Sequence, residues 1–180
     1  SGIIYMLEEE KLARDLYQKL YEIWGQTVFQ NISVSEQSHM EAILTLMERY
    51  GLDDPAAGKA IGEFKNPELQ QLFEELLSQG QESLEGGLKA SAAVEDMDIL
   101  DLEKHMAKTD NTEILQVYQN LTAGSQNHLR AFVSVLENRS GSIYEPVFLS
   151  ANDYQAIMAS NSGNGGIGQP GGKGPGGNNR

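Results

Sequence analysis

Ser35-Glu36-Gln37-Ser38-His39 sets a carboxylate and an imidazole three residues apart inside a segment whose apolar residues recur at helical spacing. Side chains three apart share a helix face. His39 continues along that face through Ile43 and Met47, with Met40 beside it. A lone histidine on an apolar stripe is usually a satisfied core residue, but a carboxylate next to it is costly unless it is paired or bound to a cation. The couple therefore reads as two metal ligands on the inward face of a helix. A local alternative competes: Ser33-x-x-Glu36 has capping-box spacing, which would place Glu36 in the first turn of a helix starting near Ser33.

Upstream, residues 3–24 hold no Pro or Gly, and Met6, Glu10, Ala13, Tyr17, Leu20 and Trp24 follow the 3–4 spacing of one helix face. Glu10 interrupts that stripe and is a candidate ligand. Glu9, in line with Leu12 and Leu16, is the reserve candidate. The bland alternative makes Glu8-Glu9-Glu10 a solvated first turn that favours the helix dipole.

Downstream, Gly51 ends the second helix, and residues 51–66 read as a connector with one short helix near Ala60. Asn66-Pro67 supplies an N-cap and a first-turn proline for an amphipathic helix that stops near Gly80. A third long helix is expected from about Gln81 to Ala107, with the inward line Leu88, Ala92, Glu95, Ile99 and Leu102. Gly86-Gly87 weakens its first half by about 1 kcal/mol per glycine, which suggests a kink or a close helix approach. Glu95 interrupts the line and Asp98 lies one turn on; the alternative places Glu95, Asp96, Asp98 and Asp101 on a solvated acidic face. His105 fits no ligand pattern and is expected at the surface.

The last long helix is expected over about Thr112–Leu136, interrupted or bent near Gly124, with His128 pointing inward above Phe132 and Leu136. Tyr144–Leu149 looks extended, and residues 150–160 suit a short helix. Beyond Asn161 the chain is rich in Gly and Asn, a composition that cannot bury a core and is expected to be disordered.

Composition narrows the chemistry. The 180 residues include 26 acidic and 13 basic side chains with no long Lys/Arg run, so the electrostatic footprint of a nucleic-acid binder is missing. There is no cysteine, so any metal must be held by Glu, Asp and His. No apolar run approaches a membrane span, and no signal peptide is visible. Because the chain opens at Ser1-Gly2 and turns helical at once, cytoplasmic placement and export with a removed targeting segment both stay open.

In chain order the four long helices offer Glu10; Glu36 with His39; Glu95; and Ser125-x-x-His128. Ferritin-like di-metal proteins use a Glu from each of two helices and a Glu-x-x-His from each of the other two, so the order matches except at Ser125. Glu10-Lys11-Leu12-Ala13-Arg14-Asp15-Leu16-Tyr17 resembles the Glu-x-x-Ala-x-x-x-Tyr first-helix pattern of ferritins and rubrerythrins. The resemblance spans roughly residues 3–138 and is nearest to an uncharacterised prokaryotic ferritin-like domain family. It implies an all-α fold: a ferritin-like four-helix bundle over 1–140 with a long crossover, carrying a short extra helix, between the second and third helices. An extension over 141–160 and a tail over 161–180 would follow.

The same resemblance implies a centre of two iron ions, with manganese or zinc able to occupy the same oxygen-rich site. Its ligands would be Glu10, Glu36, His39, Glu95, Asp98 and His128. The implied chemistry is reaction of the reduced centre with oxygen or peroxide, in ferroxidase or peroxidase fashion. Tyr17 would hydrogen-bond a ligand or pass an electron; otherwise it is a core tyrosine with a polar tip. Without Cys-x-x-Cys pairs the rubredoxin-type domain of full rubrerythrins is absent, so an external reductant is implied, and a homodimer is compatible. Serine is a poor ligand, so at Ser125 the missing carboxylate would be replaced by Asp98, Glu9 or a water. Failing that, the chain is a metal-free or singly metallated bundle serving as an interaction or structural module.

Overall fold

The computed structural model describes residues 2–160, and the expected disordered tail over 161–180 lies outside the described residues. Among the described residues the chain is all-α, in six helices: α1 Gly2–Trp24, α2 Thr27–Tyr50, α3 Pro67–Gly80, α4 Leu84–Met106, α5 Thr112–Ser140 and α6 Ala151–Ala159. Their ends follow local chemistry. Gly51 closes α2 in the left-handed conformation, φ +62°. The side chains of Asn66, Ser83, Asn111 and Ser150 accept from first-turn backbone N–H groups of α3, α4, α5 and α6.

The short links after α1 and α4 make hairpins of α1 with α2 and of α4 with α5, and α1 against α4 and α2 against α5 close the ring. Contact order along the chains fixes directions. Tyr17 meets Glu95 while Gly2 meets His105, so α1 and α4 are antiparallel. Ser35 meets His128 while His39 meets Gly124, so α2 and α5 are antiparallel too. The crossover lays α3 against α1 and α4.

The interior is layered. One apolar cluster holds Leu12, Leu16 and Leu20 of α1, Phe29 and Ile32 of α2, Leu88 and Ala92 of α4, and Phe132 and Leu136 of α5. A second, at the other end, holds Met6 and Leu7, Ile43 and Met47, Leu102, and Tyr118 and Leu121. Between these clusters all four helices carry buried polar residues: Glu9 and Glu10, Glu36, Glu95 and Asp98, and Ser125 and His128.

Several local expectations are corrected. α2 begins at Thr27, so Ser33 is mid-helix, its hydroxyl donating to Gln30 O, and the Ser33/Glu36 capping box does not form. The connector has turns but no helix near Ala60. α4 starts at Leu84, with Gly86 and Gly87 in its first turn. There a Cβ on Gly87 would lie 3.2 Å from Gly80 O, so of the two expectations close approach is the one met. α5 runs through Gly124 without interruption. His105 is half-buried, tilted against the rings of Tyr5 and Tyr118, rather than a surface residue. Glu8 is buried and accepts from Lys65 N and Asn66 N, which ties the crossover to α1. No helix among the described residues is long and apolar enough to cross a membrane.

Candidate metal centre

Glu36 sits at the middle of the polar layer, with one oxygen toward each histidine. Its Oε2 lies 2.8 Å from His39 Nδ1 and its Oε1 2.7 Å from His128 Nδ1. Flanking carboxylates come from the other hairpin members: Glu10 Oε2 is 3.1 Å from His39 Nδ1, and Glu95 Oε2 is 3.5 Å from His128 Nδ1. The two imidazoles stack, centroids 5.3 Å apart and planes 23° from parallel. The helical registers produce this arrangement, since 36/39 and 125/128 each place one turn of α2 and α5 on the seam while Glu10 and Glu95 face it from α1 and α4.

The six expected ligands lie in this layer, and Tyr17, packed in the first apolar cluster, reaches it with its hydroxyl. Asp98 accepts the Ser125 hydroxyl at 2.6 Å, and Tyr17, fully buried, donates to Glu95 Oε1 at 2.6 Å. The acidic-surface alternative for α4 fails at Glu95, Asp96 and Asp98, and the solvated-turn alternative for α1 fails at Glu8, Glu9 and Glu10, because all six are buried. Glu36, His39 and His128 form the tightest group, with one donor atom from each inside 4.8 Å of the others.

The electrostatics reflect carboxylates crowded in a buried layer. Burial, helped by the Glu36 charge, pushes Glu95 up to about 8 against the opposing pull of His128 and Tyr17. Burial likewise lifts Asp98 to about 7, although the Ser125 hydroxyl opposes it. Glu9 and Glu10 are raised by burial first and by the Asp98 charge next. Burial would raise Glu36 as well, but the rings of His128 and His39 hold it below the usual carboxylate range. Burial lowers both imidazoles, and the carboxylates override it: Glu10 and Glu36 take His39 to about 12, and Glu95 and Glu36 take His128 to about 10.

The residues fit a metal. Both oxygens of Glu9, together with Glu10 Oε1 and Asp98 Oδ1, are buried without a hydrogen-bond partner, and Glu36 Oε1 and His128 Nδ1 face each other at 2.7 Å out of hydrogen-bond geometry. Orphaned donor and acceptor atoms of this kind are rare in a folded chain and call for an explanation. The buried Lys11 and partly buried Arg14 of α1 do not provide it, because both pair with Asp15. Imidazole nitrogens with several carboxylates are the donor set of iron, manganese and zinc.

A family model described as "Uncharacterized protein domain (DUF2202)" matches residues 1–161. The chain belongs to this family. It is similar to "Uncharacterized protein MJ0754" of Methanocaldococcus jannaschii, at 47% identity over 162 residues, which are 90% of this chain and 87% of that protein. The crystal structure of hypothetical protein MJ0754 from Methanococcus jannaschii superposes with a TM-score of 0.87 at 47% identity, covering 89% of this chain and 91% of that one.

Three features of this DUF2202 chain escaped the sequence reading. Gly124 is the space for an imidazole, since a Cβ there would lie 2.5 Å from His39 Nε2. Ser35 Oγ is 2.9 Å from His128 Nε2. Asp96, fully buried, accepts from Tyr144 Oη and from Val147, Phe148 and Leu149 N, pinning the extension to α4 beside the site. A small residue four positions before each histidine is the one signal that could have found the first two.

Proposed function

We propose that this chain is a ferritin-like bundle whose polar layer binds two metal ions, iron first and manganese or zinc as alternatives. The observation that carries the reading is Glu36, which offers one oxygen toward each histidine. Glu10 and His39 would hold one ion and Glu95 and His128 the other, with Glu36 between them and Asp98 standing in for the carboxylate absent at position 125. When bound, such a metal pair supplies electron transfer to oxygen or peroxide, with an external reductant restoring it.

The chain's own residues orient and insulate. Tyr17 donates to Glu95 and so fixes one carboxylate from inside the core. Ser125 does the same for Asp98. The two apolar clusters above and below the layer keep water out, which strengthens every charge interaction within it.

A second reading, one ion per chain, is favoured by the tightness of the Glu36, His39, His128 group and by the commitment of Ser125 to Asp98. Anaerobic titration with Fe²⁺ followed by peroxide separates the two. The two-ion reading expects two equivalents bound and peroxide-dependent oxidation of both, lost in Glu36→Ala. One equivalent, or oxidation no faster than in Glu36→Ala, would refute it.

A further inference from the structure

The two histidines are held differently at their outer nitrogens. Each Nε2 faces the residue four positions before the other histidine on the opposite helix: His128 faces Ser35, and His39 faces Gly124. The crossed pairing follows from the antiparallel register of α2 and α5. Its two members differ in chemistry, because Ser35 has a hydroxyl 2.9 Å from the ring and Gly124 has no side chain to offer.

A histidine that ligates through one nitrogen is aimed by what its other nitrogen holds. An N–H at Nε2 of His128 donating to Ser35 Oγ keeps Nδ1 directed at Glu36 and Glu95, 2.7 and 3.5 Å away. The ring is thus aimed before an ion arrives, and an ion entering beside Glu36 displaces the Nδ1 proton while the Nε2 proton stays directed at Ser35. His39 has no such partner at Gly124, and its side chain is 12% exposed against 9% for His128.

We propose that Ser35 is a positioning residue that holds the His128 ring by its Nε2 proton with Nδ1 toward Glu36, making the two metal positions inequivalent, with the His128 side filling first. The proposal rests on the two-ion reading. A nucleophilic role for the same Ser35, His128, Glu36 series is disfavoured: Ser35 lies inside α2, where neighbouring N–H groups are committed to the helix ladder and leave no donor pair for an oxyanion.

The test loads the whole chain with Zn²⁺ alone and follows isotope-labelled histidine by nitrogen NMR, alongside calorimetric titration. Wild type should show Nδ1 of His128 bound and Nε2 protonated and slow to exchange, with two resolved binding steps. Ser35→Ala should speed exchange of that proton and weaken the first step about 10- to 100-fold, leaving the second step unchanged; Ser35→Thr should restore both. Two ions bound with Ser35→Ala identical to wild type would overturn the proposal and leave the two-ion reading standing. Wild type that takes up one ion or none overturns that reading and the proposal with it. Should Ser35→Ala fail to fold, the wild-type spectrum decides alone, since zinc on Nε2 of His128 contradicts the assignment.

Discussion

Ser125 donates its hydroxyl proton to Asp98 across the α4/α5 seam at 2.6 Å, so a carboxylate of α4 is held where α5 carries a serine. On the proposed two-ion reading the serine holds a candidate ligand in place. Its other contact, to Leu121 O, is within its own helix.

Ser125→Ala removes the hydrogen bond to a buried carboxylate, which should destabilise the fold by about 1–3 kcal/mol. Urea unfolding of the apoprotein measures this. Metal titration of the same variant should show one of the two ions weakened, and unchanged binding of both would remove Asp98 from the ligand set.

Gly124→Ala sets two effects against each other. Alanine in mid-helix favours α5 by about 1 kcal/mol over glycine. However, its Cβ would lie 2.5 Å from His39 Nε2, so the imidazole must move. The expected outcome is a variant that still folds without metal, its helix gain offset by the displaced His39 contacts to Glu10 and Glu36, and that binds one ion about tenfold less tightly, read by thermal melts and titration.

The helices were legible because 3–4 spacing is local, and so were Glu10 and Glu95, each of which breaks an apolar line, and Glu36, which stands one helical turn before His39. What stayed hidden depends on distant partners. Asp96 looked like surface because its acceptors are matched by residues 144–149, some fifty positions away. Ser33 looked like a cap because its spacing to Glu36 is right, yet α2 had already begun at Thr27. Gly124 read as a bend because a sequence shows a missing side chain but not the ring that fills its place.

Stability of the apoprotein should fall as pH rises. Glu95 and Asp98, raised to about 8 and 7, contribute stability fully present below their unfolded values near 4 and lost as pH climbs through 7–8. His39 and His128, raised to about 12 and 10, contribute stability fully present below about 6.5 and lost progressively as pH rises from there through 10–12. Glu36, held low, works oppositely and is lost on acidification below the usual carboxylate range. Metal binding needs the ligands deprotonated, so the melting-temperature gain on adding Mn²⁺ should grow from pH 5.5 to 8. A gain independent of pH would contradict the assignment of these groups as ligands.

Asp96→Asn weakens an acceptor that holds three backbone N–H groups and the Tyr144 hydroxyl. It should destabilise the fold by about 3 kcal/mol and expose residues 141–160 to limited proteolysis, with metal uptake retained. Intact protection of the extension in this variant would show that Asp96 does not pin it.

The most direct test is the metal content of protein purified without chelator, beside Glu36→Ala and His39→Ala. The account predicts two transition-metal ions per chain in the wild type and a loss of at least one in each variant. One ion or fewer in the wild type, unchanged by either substitution, would contradict it.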